Sequence, residues 1–239
     1  MHAATADRVI FRTEPHAESG RLLRDIILGG QDGLVNVLGI LLGVAVATSD
    51  IRIVLLAGLS ATFAESISMA AVAYTSTKAA SEYYEKERQR EIKEIKEKPL
   101  VERQEIRDIY SGKGFTGRDL DFIVKKICAD EKIWLDVMMA EELKLEKPEG
   151  SPVRDALVVG LSAIAGSFLP LLPFFFLPPK TAIVATLVFS TAILFIAGAL
   201  KSRFTVIGWK RSGFELALIG IASALAGFAV GVLLGAPAG

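Results

Sequence analysis

One cysteine and two histidines are all that 239 residues offer of thiol and imidazole side chains. Cys128 alone excludes an intramolecular disulfide and any paired-cysteine metal site. His2 and His16 both lie in the polar N-terminal tail. A buried histidine zinc site or a Ser-His-Asp triad therefore has no histidine to use. An excess of one sign of charge is also missing, since 27 Lys and Arg balance 27 Asp and Glu. That excludes a nucleic-acid binder of the basic-patch kind. Long stretches lack charge altogether. From Pro152 to Leu200 only Arg154, Asp155 and Lys180 are charged, and after Gly213 only Glu215.

What is present is apolar. Hydrophobic residues make up 51% of the chain and mean hydropathy is +0.44, beside 23% charged residues. The charges are gathered, with 15 Lys and Arg and 18 Asp and Glu in residues 81–150. Such a division describes a membrane protein carrying a water-exposed insert. Five stretches have the roughly 20 apolar residues a bilayer crossing needs: residues 26–48, 53–73, 156–177, 181–200 and 214–234. Ser49-Asp50, Pro178-Pro179 and the polar residues 201–212 separate them. No charged stub with a short apolar run and cleavage site precedes the first, so that helix is itself the expected membrane signal.

The expected fold class is all-α, an integral membrane protein of five transmembrane helices with a cytosolic helical insert between the second and third. The expected parts are a cytosolic N-terminal tail (1–24), helices one and two (25–80), the insert (81–150) and helices three to five (151–239). Loop charges set the orientation. Arg8, Arg12, Arg21 and Arg24 precede the first span, and Lys201, Arg203, Lys210 and Arg211 precede the fifth. The opposite loops carry only Arg52 and Lys180. The N-terminus and insert are thus expected in the cytosol and the C-terminus outside.

Polar groups inside the spans are candidates for a pathway, because ionisable side chains at that depth are costly and face a bundle interior or water. Asp32 lies in the first span with Asn36 one turn on. Glu65 lies in the second, with Met69 on the same face. Carboxylate oxygen and thioether sulfur together suit a divalent transition metal such as Fe²⁺. Asp32 can also be read as a hydrogen-bonding group near the interface, and Met69 as ordinary core. Small residues at four-residue spacing (Gly29/Gly33, Gly39/Gly43, Gly227/Gly231/Gly235) predict close helix contact, within one bundle or in a dimer. Pro170 and Pro173 predict a break in the third span, as a gating kink or a packing bend.

The insert reads as helices: residues 80–98 continuing the second span, 100–110, 118–128 with Thr116 as N-cap, and 130–145. Acids recur at three-residue spacing, Glu91 with Glu94 and Glu102 with Glu105. Met138 and Glu142 stand four apart, with Met139 adjacent. Solvated acids paired with lysines are one reading. A set of carboxylates and a thioether around a divalent metal is the other.

These residues carry a resemblance. Arg24-Asp25-Ile26-Ile27 through Asp32-Gly33-Leu34, Ile67-Ser68-Met69, Trp134-Leu135-Asp136-Val137-Met138-Met139, Pro170-Leu171-Leu172-Pro173 and Gly198 through Thr205 are similar, in that order, to the vacuolar iron transporter family. The resemblance covers nearly the whole chain from Arg24. It implies a five-span homodimer in a lipid bilayer, exporting Fe²⁺ from the cytosol in exchange for protons. Mn²⁺ is the expected second substrate, Co²⁺ and Zn²⁺ are further candidate ions, and no catalytic cofactor is expected. It implies that Asp32 and Met69 line the pathway; Glu65 and Asn36 are added to it as polar groups within the same two spans. It implies that Glu91, Glu94, Glu102, Glu105, Met138 and Glu142 bind metal. The departure is in the second span, where plant-type members carry an acid near Ala61 and this chain has Glu65 one turn later.

Three readings follow for the activity. A transporter is the first. A ferritin-like di-metal oxidase needs Glu-x-x-His motifs, and no histidine lies beyond position 16. A metal-binding sensor or storage protein without transport leaves Asp32, Glu65 and five spans without a purpose. The Lys/Glu-rich insert and short termini read as prokaryotic, with the cell membrane as location; in a eukaryote it is the vacuolar membrane.

Overall fold

The computed structural model describes residues 16–48, 50–148, 150–204 and 206–235, and side chains from residue 20 on. Most of the expected tail, Ser49 and Thr205 lie outside them. Every regular element among the described residues is helical: α1 (His16–Ala47), α2 (Ile51–Glu97), α3 (Pro99–Gly112), α4 (Gly117–Ile127), α5 (Glu131–Val137), α6 (Pro152–Phe176), α7 (Pro179–Lys201) and α8 (Trp209–Leu234). A π-helical turn, Met138–Glu142, follows α5, and a 3₁₀ turn, Ser202–Phe204, follows α7. Five of the helices are long and apolar enough to cross a membrane. The five expected spans are thus present. The first helix begins earlier than expected, at His16, and the second runs unbroken for 47 residues. At 1.5 Å per residue α2 is about 70 Å long, more than twice a bilayer core.

Two compact units divide the chain, residues 1–72 with 155–239, and residues 73–154. In the first, α1 is central. Its Val37, Leu41 and Ala45 pack with Val54, Leu171, Phe174 and Ala182, its Leu34 with Leu194 and Leu216, and its Leu38 and Leu42 with Ala224. Glycine lets backbones touch. A Cβ on Gly43 would stand 2.8 Å from the Gly227 carbonyl, and one on Gly227 or Gly231 would overlap the carbonyls of Gly39 or Gly43. Gly29 and Gly33 likewise meet the Val159 and Ala163 carbonyls of α6. The small-residue stripes of α1 and α8 thus serve contact inside one chain. α6 stays helical through Pro170 and Pro173, and Thr186 of α7 donates to the Pro170 carbonyl at 3.1 Å.

The second unit is built on Ile95, Ile106, Leu120, Val124, Ile127, Trp134, Leu135, Met138 and Met139. Pro99 both halts α2 and opens α3 at its first turn, where its missing N–H costs nothing. Thr116 occupies the N-cap of α4 with no side-chain hydrogen bond. Asp130 caps α5, accepting from the Lys132 and Ile133 amides at 2.9 and 3.2 Å. The sequence expectation of one regular helix over 130–145 is corrected here. The Leu143 amide reaches the Met138 carbonyl and the Leu145 amide the Met139 carbonyl, so the chain widens after Val137. Such wide turns recur at functional sites.

Candidate functional site

Three acids converge in the second unit. Glu91 stands one turn before Ile95 on α2, Glu102 one turn before Ile106 on α3, and Glu142 one turn after Met138. Each shares a stripe with a residue of the apolar core, so burial of Ile95, Ile106 and Met138 draws the acids inward. Glu91 is 1% exposed and Glu102 4%; Glu142 is the more open of the three. One carboxylate oxygen from each lies within 4.8 Å of the others. Glu91 Oε2 is buried with no hydrogen-bond partner, a costly state for an acid oxygen.

The electrostatics match the geometry. Burial, then the charges of Glu142 and Glu94, push Glu91 up to about 7. Burial, then Glu105 and Glu91, push Glu102 up to about 7. Glu142 is raised by burial first and Glu105 next, and its carboxyl is hydrogen-bonded to that of Glu105. Near neutrality Glu91 and Glu102 are partly protonated, and a divalent cation can displace those protons. All-oxygen donor sets suit hard and borderline divalent ions.

The remaining expected ligands divide. Glu105 belongs to the cluster through Glu142. Glu94 is turned to Arg90, whose Nε donates to Glu94 Oε2 at 3.2 Å. The same guanidinium reaches Glu87 Oε2 at 3.0 Å. Met138 is wholly buried in the apolar core with Ile106 and Trp134. Glu87, 8% exposed, and Arg90 were not singled out from sequence. Glu87 lies one turn before Glu91 on the core stripe, which was the available signal.

In the first unit, Asp32 and Asn36 of α1 meet Glu65 of α2. Asn36 Nδ2 donates to Glu65 Oε1, and the Asp32 carboxyl is within hydrogen-bonding reach of Glu65. The inward stripe of α2 is Gly58, Thr62 and Ser66. Both hydroxyls turn back on their own helix, to the Gly58 and Thr62 carbonyls at 2.8 and 2.6 Å. Glu65 and Met69 flank that stripe, half-buried, as is Asp32, while Asn36 is exposed. Ala61 packs against the cluster of Val37 and Leu41, so the acid of this span sits one turn further on. Asp25 and Asp155, 8% and 7% exposed, are buried acids that sequence reasoning passed over. They lie close enough for their charges to act on each other.

Comparison with known proteins adds the family. The VIT family model matches residues 23–232. Vacuolar iron transporter 1 of Arabidopsis thaliana is 35% identical over 218 residues, 90% of this chain and 87% of that protein. Vacuolar iron transporter 2 of Oryza sativa subsp. japonica is 37% identical over 218 residues, covering 90% and 89%. The vacuolar iron transporter of Plasmodium berghei is 32% identical over 236 residues, covering 92% and 86%. With a matched core that runs from Leu23 in α1 to Val232 in α8, this multi-pass membrane protein belongs to the VIT family.

Proposed function

We propose that the protein carries Fe²⁺, with Mn²⁺ as a second substrate, out of the cytosol in exchange for protons. The observation that supports this best is the meeting of Asp32, Asn36 and Glu65 between two membrane-length helices. Two carboxyls at hydrogen-bonding distance repel unless a proton or a cation lies between them. A site of that kind trades one for the other. The Glu91, Glu102 and Glu142 cluster, with Glu105 and Glu94 beside it, captures metal from the cytosol; Asp32, Glu65 and Met69 pass it on. Relatives named vacuolar iron transporter support iron as cargo. Met138 holds the π-helical turn in place from the core and stands ready as a soft ligand if that turn opens.

The working unit in this reading is a homodimer. In the single chain Asn36 is exposed and Asp32, Glu65 and Met69 are half-buried, which facing lipid would cost about 3 kcal/mol for each charged group. A second copy covering this face removes that cost. The N-terminus and insert lie in the cytosol, on the side of the Lys- and Arg-rich loops.

Proteoliposomes with an imposed pH gradient test the proposal. Fe²⁺ uptake must follow the gradient, and Asp32→Ala and Met69→Ala must each reduce it. Parental rates in both variants remove the pathway. Metal binding to the insert with no flux in the parent favours a sensor or storage protein instead.

A further inference from the structure

Two stretches that carry the family resemblance have no part in the metal chemistry: Arg24-Asp25 in α1, and Lys201-Ser202-Arg203 at the end of α7. They meet in space. Arg24 and Lys201 line one cavity of about 390 Å³, with Gln31 as a further polar wall and Leu23, Leu28 and Phe204 as apolar ones. Among the described residues, no salt bridge reaches either cation. Leu28 and Phe204 are 47% and 68% exposed, so the apolar side of the cavity opens outward from membrane-length helices.

We infer that this cavity binds an anionic phospholipid, its phosphate held between Arg24 and Lys201. Basic pockets between membrane helices suit such headgroups. Arg24 presents a planar fork of donors to phosphate oxygens and Lys201 a point charge. The Gln31 amide supplies a neutral donor, and the acyl chains run outward along Leu28 and Phe204. The apolar walls select a lipid over free phosphate, which has nothing to bury against them. The inference needs only that these helices cross a bilayer, and is independent of the metal and of the direction of transport.

Native mass spectrometry of the full-length protein, with phosphatidylglycerol, phosphatidylcholine or inorganic phosphate added, tests it. Phosphatidylglycerol is retained and raises the melting temperature; the other two do neither. Each of Arg24→Gln and Lys201→Gln weakens retention about fivefold, and the double variant roughly 25-fold. Lys180→Gln, at the opposite end of α7, leaves retention unchanged. Equal retention of phosphatidylcholine by the parent protein overturns the proposal without any variant needing to fold. Phosphatidylglycerol bound undiminished by the folded double variant overturns it too, as does inorganic phosphate stabilising as well as the lipid.

Discussion

Metal binding by the insert is expected to be steeply pH-dependent in the neutral range. Glu91 and Glu102 are both held at about 7, each by burial first and by neighbouring acids next. A metal ligand must be deprotonated, so proton and metal compete. At pH 8 about nine-tenths of each group is free to bind, and at pH 6 about one-tenth. Each therefore weakens binding roughly tenfold, and the two together roughly 100-fold. Calorimetry with Mn²⁺, chosen because it resists oxidation, measures this on the purified protein at constant ionic strength. Glu91→Gln binds more weakly and keeps less than a tenfold dependence, because Glu102 loses one of the charges that raise it. The stability of the metal-free insert has the opposite sign. A carboxyl whose folded pKa is raised contributes most below its unfolded value near 4.5, and that contribution is lost as pH rises through about 7. Thermal melts of the metal-free protein should thus fall from pH 5 to pH 8, and Mn²⁺ should restore them most at pH 8. A change in affinity of less than about threefold between pH 6 and pH 8 would refute the assignment of these two acids as ligands.

Further outcomes follow from packing. Gly227→Ala drives a Cβ into the Gly39 carbonyl and should destabilise the bundle by about 1–3 kcal/mol, read as a lower melting temperature in detergent. Ile106→Ala empties a fully buried site in the insert; a loss of about 2–5 kcal/mol should appear in hydrogen exchange of α3 and α5. Asp130→Ala removes the α5 cap and costs about 1 kcal/mol, with Mn²⁺ affinity nearly unchanged because no ligand is touched.

The parts of this fold that were legible are those written in single segments. Apolar runs of membrane length, Pro99 and Pro178-Pro179 marked where helices lie and where they stop, because hydrophobic length and the missing proline N–H act locally. The cluster was legible only in part. Glu91 and Glu94 share a helix face in sequence, yet Ile95 draws Glu91 fully inward while Glu94, half-buried at the cluster's margin, is tied to Arg90, a choice decided by burial across three helices. The widened turn at Met138–Glu142 has no local signature, since its residues are ordinary helix formers. The Asn36–Glu65 bond joins residues 29 apart, and no periodicity within either helix could pair them. Asp25 and Asp155 were missed for the same reason.

The glycine contacts of α1 constrain which parts of the bundle are able to move. Gly30 against Gly166, Gly39 against Gly227 and Gly43 against Gly231 set backbone on backbone. Nothing there can change rotamer to make room, so α1, α6 and α8 turn as one frame or not at all. α2 is seated only partly in this way: at Gly58 its neighbours are the side-chain ends of Leu41 and Leu171, which can re-pack, while its Ser66 carbonyl and Ala70 lie against Gly160 of α6 and offer a pivot. A rearrangement that alters the separation of Glu65 from Asp32 is therefore least obstructed as a tilt or rotation of α2 against that frame, carrying Glu65 and Met69 with it while Asp32 and Asn36 stay fixed.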